Sequence, residues 1–486
     1  MKGEIGTSVS DVPAVEALAR LYLDWAGRPA SSIVSLGADG SARHYFRIAG
    51  METVIGAYNA NRRENEAFVA LSRHFGTHGL PVPEIYAQHL DTGVYLQTDL
   101  GDDTLFSHIR RMRTGEIFPD GLTALYYRVI EWLPEFQIIA ARDMDYSVCY
   151  PRSRFDAQSM RWDLNYFKYD FLKLAGIPFE EQDLEHDFDR LIAFLEQADA
   201  VYFLYRDFQS RNIMWTDAGP YFIDYQGGRQ GALAYDIASL LLDARAAIPW
   251  DIRETLLDFY MDMVSRHLPL RRDVFRHYYG GYAYLRLLQA MGAYGFRGLH
   301  EGKTHFLASI PPAIHNLEGL MTRYRLPVAL PELSRIWERM CASETLRGYG
   351  ASAVPELTVH IRSFAYKNGL PRDTTGHGGG FVFDCRALPN PGRYPEYGML
   401  TGRDETVRAF LSQAEEVKRF VSLVEEMVDR AAEHHRARGF TDLTVAFGCT
   451  GGQHRSVYCA ERLSTHLSGC EGIRVETEHR ELKGTV

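Results

Sequence analysis

Two short polar motifs, each set behind an apolar run, constrain this chain more than anything else in it. The first is Tyr205-Arg206-Asp207-Phe-Gln-Ser-Arg-Asn212, after the run 201–204; the second is Asp224-Tyr-Gln226, after the run 220–223. Asp207 and Asn212 are five residues apart, and Asp224 lies twelve beyond Asn212. Trp215-Thr-Asp-Ala-Gly219 carries turn residues, so the two apolar runs are expected to form strands that fold back on each other. The return brings two carboxylates and an amide to one cleft. That set suits phosphoryl transfer: one carboxylate orients an acceptor hydroxyl and takes its proton, while the other carboxylate and the amide oxygen hold a divalent cation against phosphate charge. The plainer reading, in which both aspartates only cap turns, leaves the register of three such residues to coincidence.

The surrounding pattern fits a two-part unit. Over about 31–105, Ser32-Ile-Val-Ser-Leu, Tyr45-Phe-Arg-Ile, Thr53-Val-Ile-Gly and Val94-Tyr-Leu-Gln read as strands. Between them, Phe68, Leu71 and Phe75 stand at helical spacing, with Pro81 and Pro83 expected to stop the helix. Residues from about 120 to 345 are mostly helical in pattern. Leu36-Gly37-Ala-Asp-Gly40-Ser41-Ala-Arg43 lies between two strands and reads as a loop folded over phosphates. Gly37, Gly40, Ser41 and Arg43 are therefore candidate ATP-binding residues, although Gly-Ala-Asp-Gly is also an ordinary hairpin turn.

The Asp207, Asn212 and Asp224 pattern resembles the D-x4-N loop and metal-binding aspartate shared by protein kinases and aminoglycoside phosphotransferases. Tyr-Gln after Asp224, in place of Phe-Gly, favours the small-molecule branch, as does Gly231-Ala-Leu-Ala-Tyr-Asp236 opening a helix. Asp236 there reads as structural. The resemblance implies an α+β bilobal protein-kinase-like fold with Asp207 catalytic, Asn212 and Asp224 on Mg²⁺, and Glu66 as the helix glutamate. It also sets an expectation that is not met. The strand Thr53-Val-Ile-Gly-Ala-Tyr-Asn has no lysine for the phosphates, so Arg43, Arg47 or Arg62 is expected to substitute, unless metal and backbone alone hold them. Tyr205 stands where His is usual. The Arg-Asp-Phe-x-Ser-Arg-Asn loop and Ile-Asp-Tyr-Gln continuation are most similar to bacterial kinases of the anomeric hydroxyl of N-acetylmuramate and N-acetylglucosamine. That likeness implies a sugar or amino sugar as acceptor. Arg161-Trp162-Asp163-Leu-Asn165-Tyr is a candidate lining for its pocket.

A second pattern begins at Leu357. Thr444-Val-Ala-Phe-Gly448-Cys-Thr450-Gly451-Gly452-Gln-His454-Arg455-Ser reads as strand, glycine loop and helix. Such a loop is an anion nest of backbone N–H groups at a helix N-terminus. Cys449 and Arg455 also stand in C-x5-R spacing, as in cysteine phosphatases, but Gly448 replaces the usual His and no general-acid loop is evident. With Phe381-Val-Phe-Asp384-Cys-Arg386, Leu400-Thr-Gly402-Arg-Asp404 and Thr477-Glu-His479-Arg480, this region resembles the C-terminal domain of the RapZ family of RNase adapter proteins. The resemblance implies an amino-sugar phosphate bound by Thr450, Gly451, Gly452, His454 and Arg455. RNA is doubtful: Gly392 replaces a common His, the basic tail is reduced to Lys483, and residues 351–486 carry 17 Lys and Arg against 18 Asp and Glu. His377, in a Gly-rich insertion, is a further candidate to reach this site.

The expected organisation is a kinase-like domain over 1–345, a linker over 346–356, and a smaller α/β domain over 357–486. A hydrophobic share of 46% supports packed cores in a chain of 486 residues with net charge −10. No run of about 18 apolar residues suggests a membrane span, and the first residues lack a secretory apolar segment. Six cysteines without metal-type pairing read as free thiols of a cytoplasmic protein. The rival function is a regulatory adapter for RNA or protein, with a weak or inactive kinase domain.

Overall fold

The computed structural model describes residues 12–36, 43–113, 117–349, 357–371, 380–437, 440–468, 470 and 472–482. The chain divides into two compact units, residues 1–300 with 309–347, and residues 301–308 with 348–486.

The first unit opens with α1 (Val12–Ala26), then β1 (Ser32–Leu36), β2 (His44–Ala49), β3 (Val54–Tyr58), α2 (Arg62–Thr77), β4 (Ile85–His89) and β5 (Val94–Thr98). The strands form one antiparallel sheet in the order β1-β2-β3-β5-β4. Side chains alternate between its faces. Phe46, Ile48, Val54, Val94 and Leu96 pack with Leu18 and Tyr22 of α1. Each such apolar side chain removed from water stabilises the sheet by about 1.5–3 kcal/mol. By the same alternation Tyr45, Ile55, Ala57, Tyr95 and Gln97 take the opposite face. Helix α2 starts at Asn61, whose side chain accepts from Glu64 N. It ends at Thr77, ahead of the prolines, where Gly79 takes φ +69° and turns the chain.

Beyond the sheet the unit is helical: α3 (Leu105–Met112), α4 (Asp120–Ile130), α5 (Ala157–Tyr166), α6 (Glu181–Leu195), α7 (Ala234–Leu241), α8 (Trp250–Ser265), α9 (Arg272–Tyr294), α10 (Ile310–Arg323) and α11 (Pro331–Ala342). Two small ribbons interrupt it. β6 (Tyr202–Leu204) pairs with β9 (Arg229–Gly231), and β7 (Ile213–Thr216) pairs with β8 (Gly219–Phe222). The sequence suggested instead that 201–204 and 220–223 would pair with each other. Ile213 pairs with Phe222 across the Asp217-Ala218 turn, and β6 is left to find Arg229–Gly231.

The second unit is a parallel sheet of β10 (Leu357–Ala365), β11 (Gly380–Asp384), β12 (Asp442–Cys449) and β13 (Ile473–His479), in the order β11-β12-β10-β13. Helices α12 (Glu405–Gln413), α13 (Glu415–Ala437) and α14 (Arg455–Leu467) accompany it. Val417, Val421, Val424 and Val428 repeat every three or four residues on α13 and join Val359, Ile361, Val445 and Leu463 in one core. The C-terminal strand ends of such a sheet are where ligands bind. Of the expected linker, residues 344–348 form a short helix and 350–356 lie outside the described residues. Gly37, Gly40, Ser41, His377 and Lys483 also lie outside them.

Candidate functional site

The loop after β6 is held at both ends by carboxylates, the buried Asp236 and the half-buried Asp243. Asp236, in the first turn of α7, accepts from Tyr205 N at 2.8 Å, Arg206 N at 3.0 Å and Gln137 Nε2 at 2.9 Å. Ser210 Oγ donates to Asp243 at 2.5 Å. Arg206 has φ +86°, a left-handed backbone unusual for arginine, and its fork grips Asp163 of α5 at 2.6 and 2.5 Å. Asp163 is therefore committed to the loop. Its neighbour Arg161 pairs with Glu185 and Asp189, and Trp162 is exposed. Of the stretch expected to line an acceptor pocket, Arg161 and Asp163 are thus engaged within the protein. Tyr205, in place of His, donates to Ile223 O at 2.6 Å and packs edge-on against Phe136 and Phe208.

Within this frame the Asp207 carboxylate accepts no hydrogen bond from the described residues. Gly227 faces it: a Cβ built there would stand 3.9 Å from Asp207 Oδ2. Asn212 Nδ2 donates to Asp207 O at 2.8 Å and to Asp224 Oδ2 at 3.2 Å, while Gln226 Nε2 donates to Asp224 Oδ1 at 2.6 Å. Asp224 has φ +69°, a conformation aspartate tolerates better than most residues. Burial pushes its carboxyl above the ordinary range; nearby Asp207 adds to that rise, and the Gln226 hydrogen bond opposes it. Gln226 Oε1 is buried beside them with no partner among the described residues. Hard oxygen donors around crowded negative charge fit Mg²⁺.

The sheet supplies the cationic wall. Asn61 and Glu64 are three apart at the start of α2, and Glu64, Phe68, Leu71 and Phe75 share one helical stripe. Glu64 therefore turns inward and accepts from Arg43 Nη2 at 3.0 Å, with the guanidinium 5.4 Å from the Phe68 ring centroid. Glu66, expected in this role, lies off the stripe and pairs with Arg62 on the surface. The other expected substitutes are engaged elsewhere: Arg47 with Asp99 and Asp102, Arg62 also with Asp91. Arg43 is 1% exposed, and its charge reaches Asp224. A cavity of about 160 Å³ opens beside these groups, its lining including Leu36, Tyr45, Ile55, Gln97, Met214, Ile223 and Asp224.

In the second unit the glycine loop joins β12 to α14. Cys449 Sγ accepts from Gly452 N at 3.1 Å and lies 3.2 Å from Ser456 Oγ; the thiol is buried beneath the loop, not presented as a nucleophile. Gly452 holds φ +71° with Ala365 N and Glu481 against it. Arg455 Nη1 donates to the carbonyls of Arg386 and Leu388 at 2.8 and 3.0 Å, and its Nη2 stands 3.5 Å from Thr450 Oγ1. His454 Nε2 donates to Tyr397 O at 2.9 Å. Thr450, Gly452, His454 and Arg455 thus share one loop, with both basic side chains bracing it; the Cβ position of Gly451 is open. Of the braces, Arg386 belonged to a motif legible in the sequence, though not as a partner of Arg455, and Tyr397 to none.

Comparison with known proteins follows the two units. Residues 32–286 match the model of the phosphotransferase enzyme family, and residues 357–483 match the RapZ C-terminal domain. A nucleotide-binding protein of Acidithiobacillus ferrooxidans is 50% identical over 130 residues, 26% of this chain and 40% of that protein. One from Xylella fastidiosa is 42% identical over 128 residues, 26% of this chain and 42% of that protein. The chain thus spans about two fifths of the length of these curated relatives. Among solved structures, choline kinase LicA from Streptococcus pneumoniae is 13% identical with a TM-score of 0.43, covering 64% of this chain and 99% of that one. A choline/ethanolamine kinase family protein from Mesorhizobium loti is 17% identical with a TM-score of 0.42, covering 68% and 100%. The first family model takes in more than half of the chain, including Asp207, Asn212 and Asp224. The chain therefore belongs to the phosphotransferase enzyme family, and it carries a RapZ C-terminal domain behind the phosphotransferase domain.

Proposed function

We propose that the first unit is an ATP-dependent kinase of a sugar or amino sugar, the anomeric hydroxyl being the position to test first. The second unit would bind a phosphosugar and sense the product, in a cytoplasmic protein. The observation that carries the reading is the Asn212 amide joined at once to the Asp207 backbone and the Asp224 carboxylate. It supports one centre in which base and cation ligands are held in register. Asp207 would take the proton of the acceptor hydroxyl as its oxygen bonds to the γ-phosphorus and ADP leaves with the bridging oxygen. Arg43, aimed by Glu64, would face the phosphate charge in place of a strand lysine. Mg²⁺, when bound by Asn212 and Asp224, would neutralise charge on the phosphates. Among the described residues no helix is long and apolar enough to cross a membrane.

The test is ADP release with ATP, Mg²⁺ and a panel of sugars, beside Asp207→Asn. Sugar-dependent turnover should fall by about 10³-fold in the variant, with little change in the KM for ATP. Turnover that persists in the variant would remove Asp207 from the chemistry. No turnover with any sugar, together with tight phosphosugar binding by the second unit, would favour the regulatory adapter.

A further inference from the structure

We propose that Gln97 reads the nucleotide base, its Oε1 accepting a hydrogen bond from the six-amino group of adenine. The inference rests on the ATP reading above and adds the residue that distinguishes adenine from other bases. Gln97 stands opposite Ile55 in the β3–β5 register, two residues along from Tyr95, and so shares the cleft face of the sheet. It lines the apolar cavity with Leu36 and Ile55 on one side and Met214 and Ile223 on the other. A flat aromatic ring fits between such walls.

Gln97 is 7% exposed, and its Oε1 is buried with no hydrogen-bond partner among the described residues. No side-chain hydrogen bond of Gln97 to a described residue is present. Buried polar atoms are as a rule paired, and an apolar side chain could fill this position without leaving an acceptor open. An amide oxygen can only accept, so its partner must bring an N–H or O–H. Asp224 of the proposed cation site is among the lining residues, and Asp207 is not. Thr98, Leu100 and Gly101, which follow Gln97 in the chain, line the same cavity and would flank the base. Adenine offers an amine at position six that Oε1 can accept; guanine offers a carbonyl there, which Oε1 cannot pair and only the Nε2 of a turned amide could.

The experiment is calorimetric titration of the full chain with Mg²⁺-ATP, with purine riboside triphosphate, which has hydrogen in place of the amine, and with GTP. It is repeated on Gln97→Met, which keeps the volume and removes the acceptor. Wild type should bind ATP about tenfold more tightly than purine riboside triphosphate and should disfavour GTP further. Gln97→Met should bring the ratio of ATP to purine riboside triphosphate close to one. Equal binding of the two by wild type overturns the proposal whether or not the variant folds, as does GTP binding as tight as ATP. A ratio unchanged in a folded variant also overturns it. Failure of wild type to bind any nucleotide overturns the ATP reading itself, and this proposal with it.

Discussion

Ala57 stands on β3 between Tyr45 and Tyr95 in the register of the sheet and brings no charge of its own. Arg43 enters from just ahead of β2, and Glu64 fixes its direction. Desolvating a guanidinium offsets most of its attraction to a carboxylate, so the Glu64 pair alone adds little stability. Under the kinase reading, Arg43 would face the phosphates. Arg43→Met should lower kcat/KM for ATP by about 10²-fold, and Glu64→Gln by about tenfold, with the fold intact by circular dichroism. An unchanged kcat/KM in Arg43→Met would leave phosphate affinity to metal and backbone. Arg43 itself could be nominated from sequence, since a missing lysine calls for another cation. Choosing it over Arg47 and Arg62 needed the carboxylates that occupy those two, and these come from residues as distant as Asp99 and Asp91.

Among the elements, α7 does more than pack. Its Asp236 holds the backbone of Tyr205 and Arg206. Burial pushes the Asp236 carboxyl up to about 7, against the pull of those two N–H donors, from an ordinary value of 3.8. The folded protein therefore keeps a proton that the unfolded chain has released. The stability this contributes is fully present below the ordinary value and is lost as pH rises through about 7. The Tm difference between wild type and Asp236→Asn should accordingly change between about pH 4 and pH 7 and level off above it. A difference that is constant with pH would mean that the carboxyl stays ionised throughout. In the second unit, a Cβ on Gly402 would stand 2.3 Å from His454 O and 2.4 Å from Tyr458 N, where α14 begins. Gly402→Ala should thus displace the glycine loop and weaken binding of an amino-sugar phosphate by about tenfold or more, while ADP release by the first unit persists. Undiminished affinity would show that the loop's position is not what the ligand reads. The helix of Phe68, Leu71 and Phe75 was legible because period and burial agree. Helix α1 and strand β4 were not anticipated: α1 is defined by the sheet core it covers, and β4 by pairing with β5.

Among the described residues, the antiparallel sheet and the parallel sheet each pack on a core of their own. Each has its own ligand reading, so calorimetry should resolve two transitions. ATP with Mg²⁺ should raise one Tm and an amino-sugar phosphate the other, by mass action on the unit that binds. A single transition raised by both ligands would show one cooperative body. The residues themselves determined that a carboxylate, an amide and a second carboxylate come together, because at their spacing between apolar runs they can meet only if the chain returns on itself. They likewise determined the glycine loop of the second unit, whose strand, turn and helix are local. Tertiary structure alone decided which glutamate faces Arg43, which strands pair around Asp207, and that Asp163 and Asp243 brace the loop. Those outcomes depend on groups 21 to 43 residues apart, and at such separations only the packed fold, not local spacing, selects the partner.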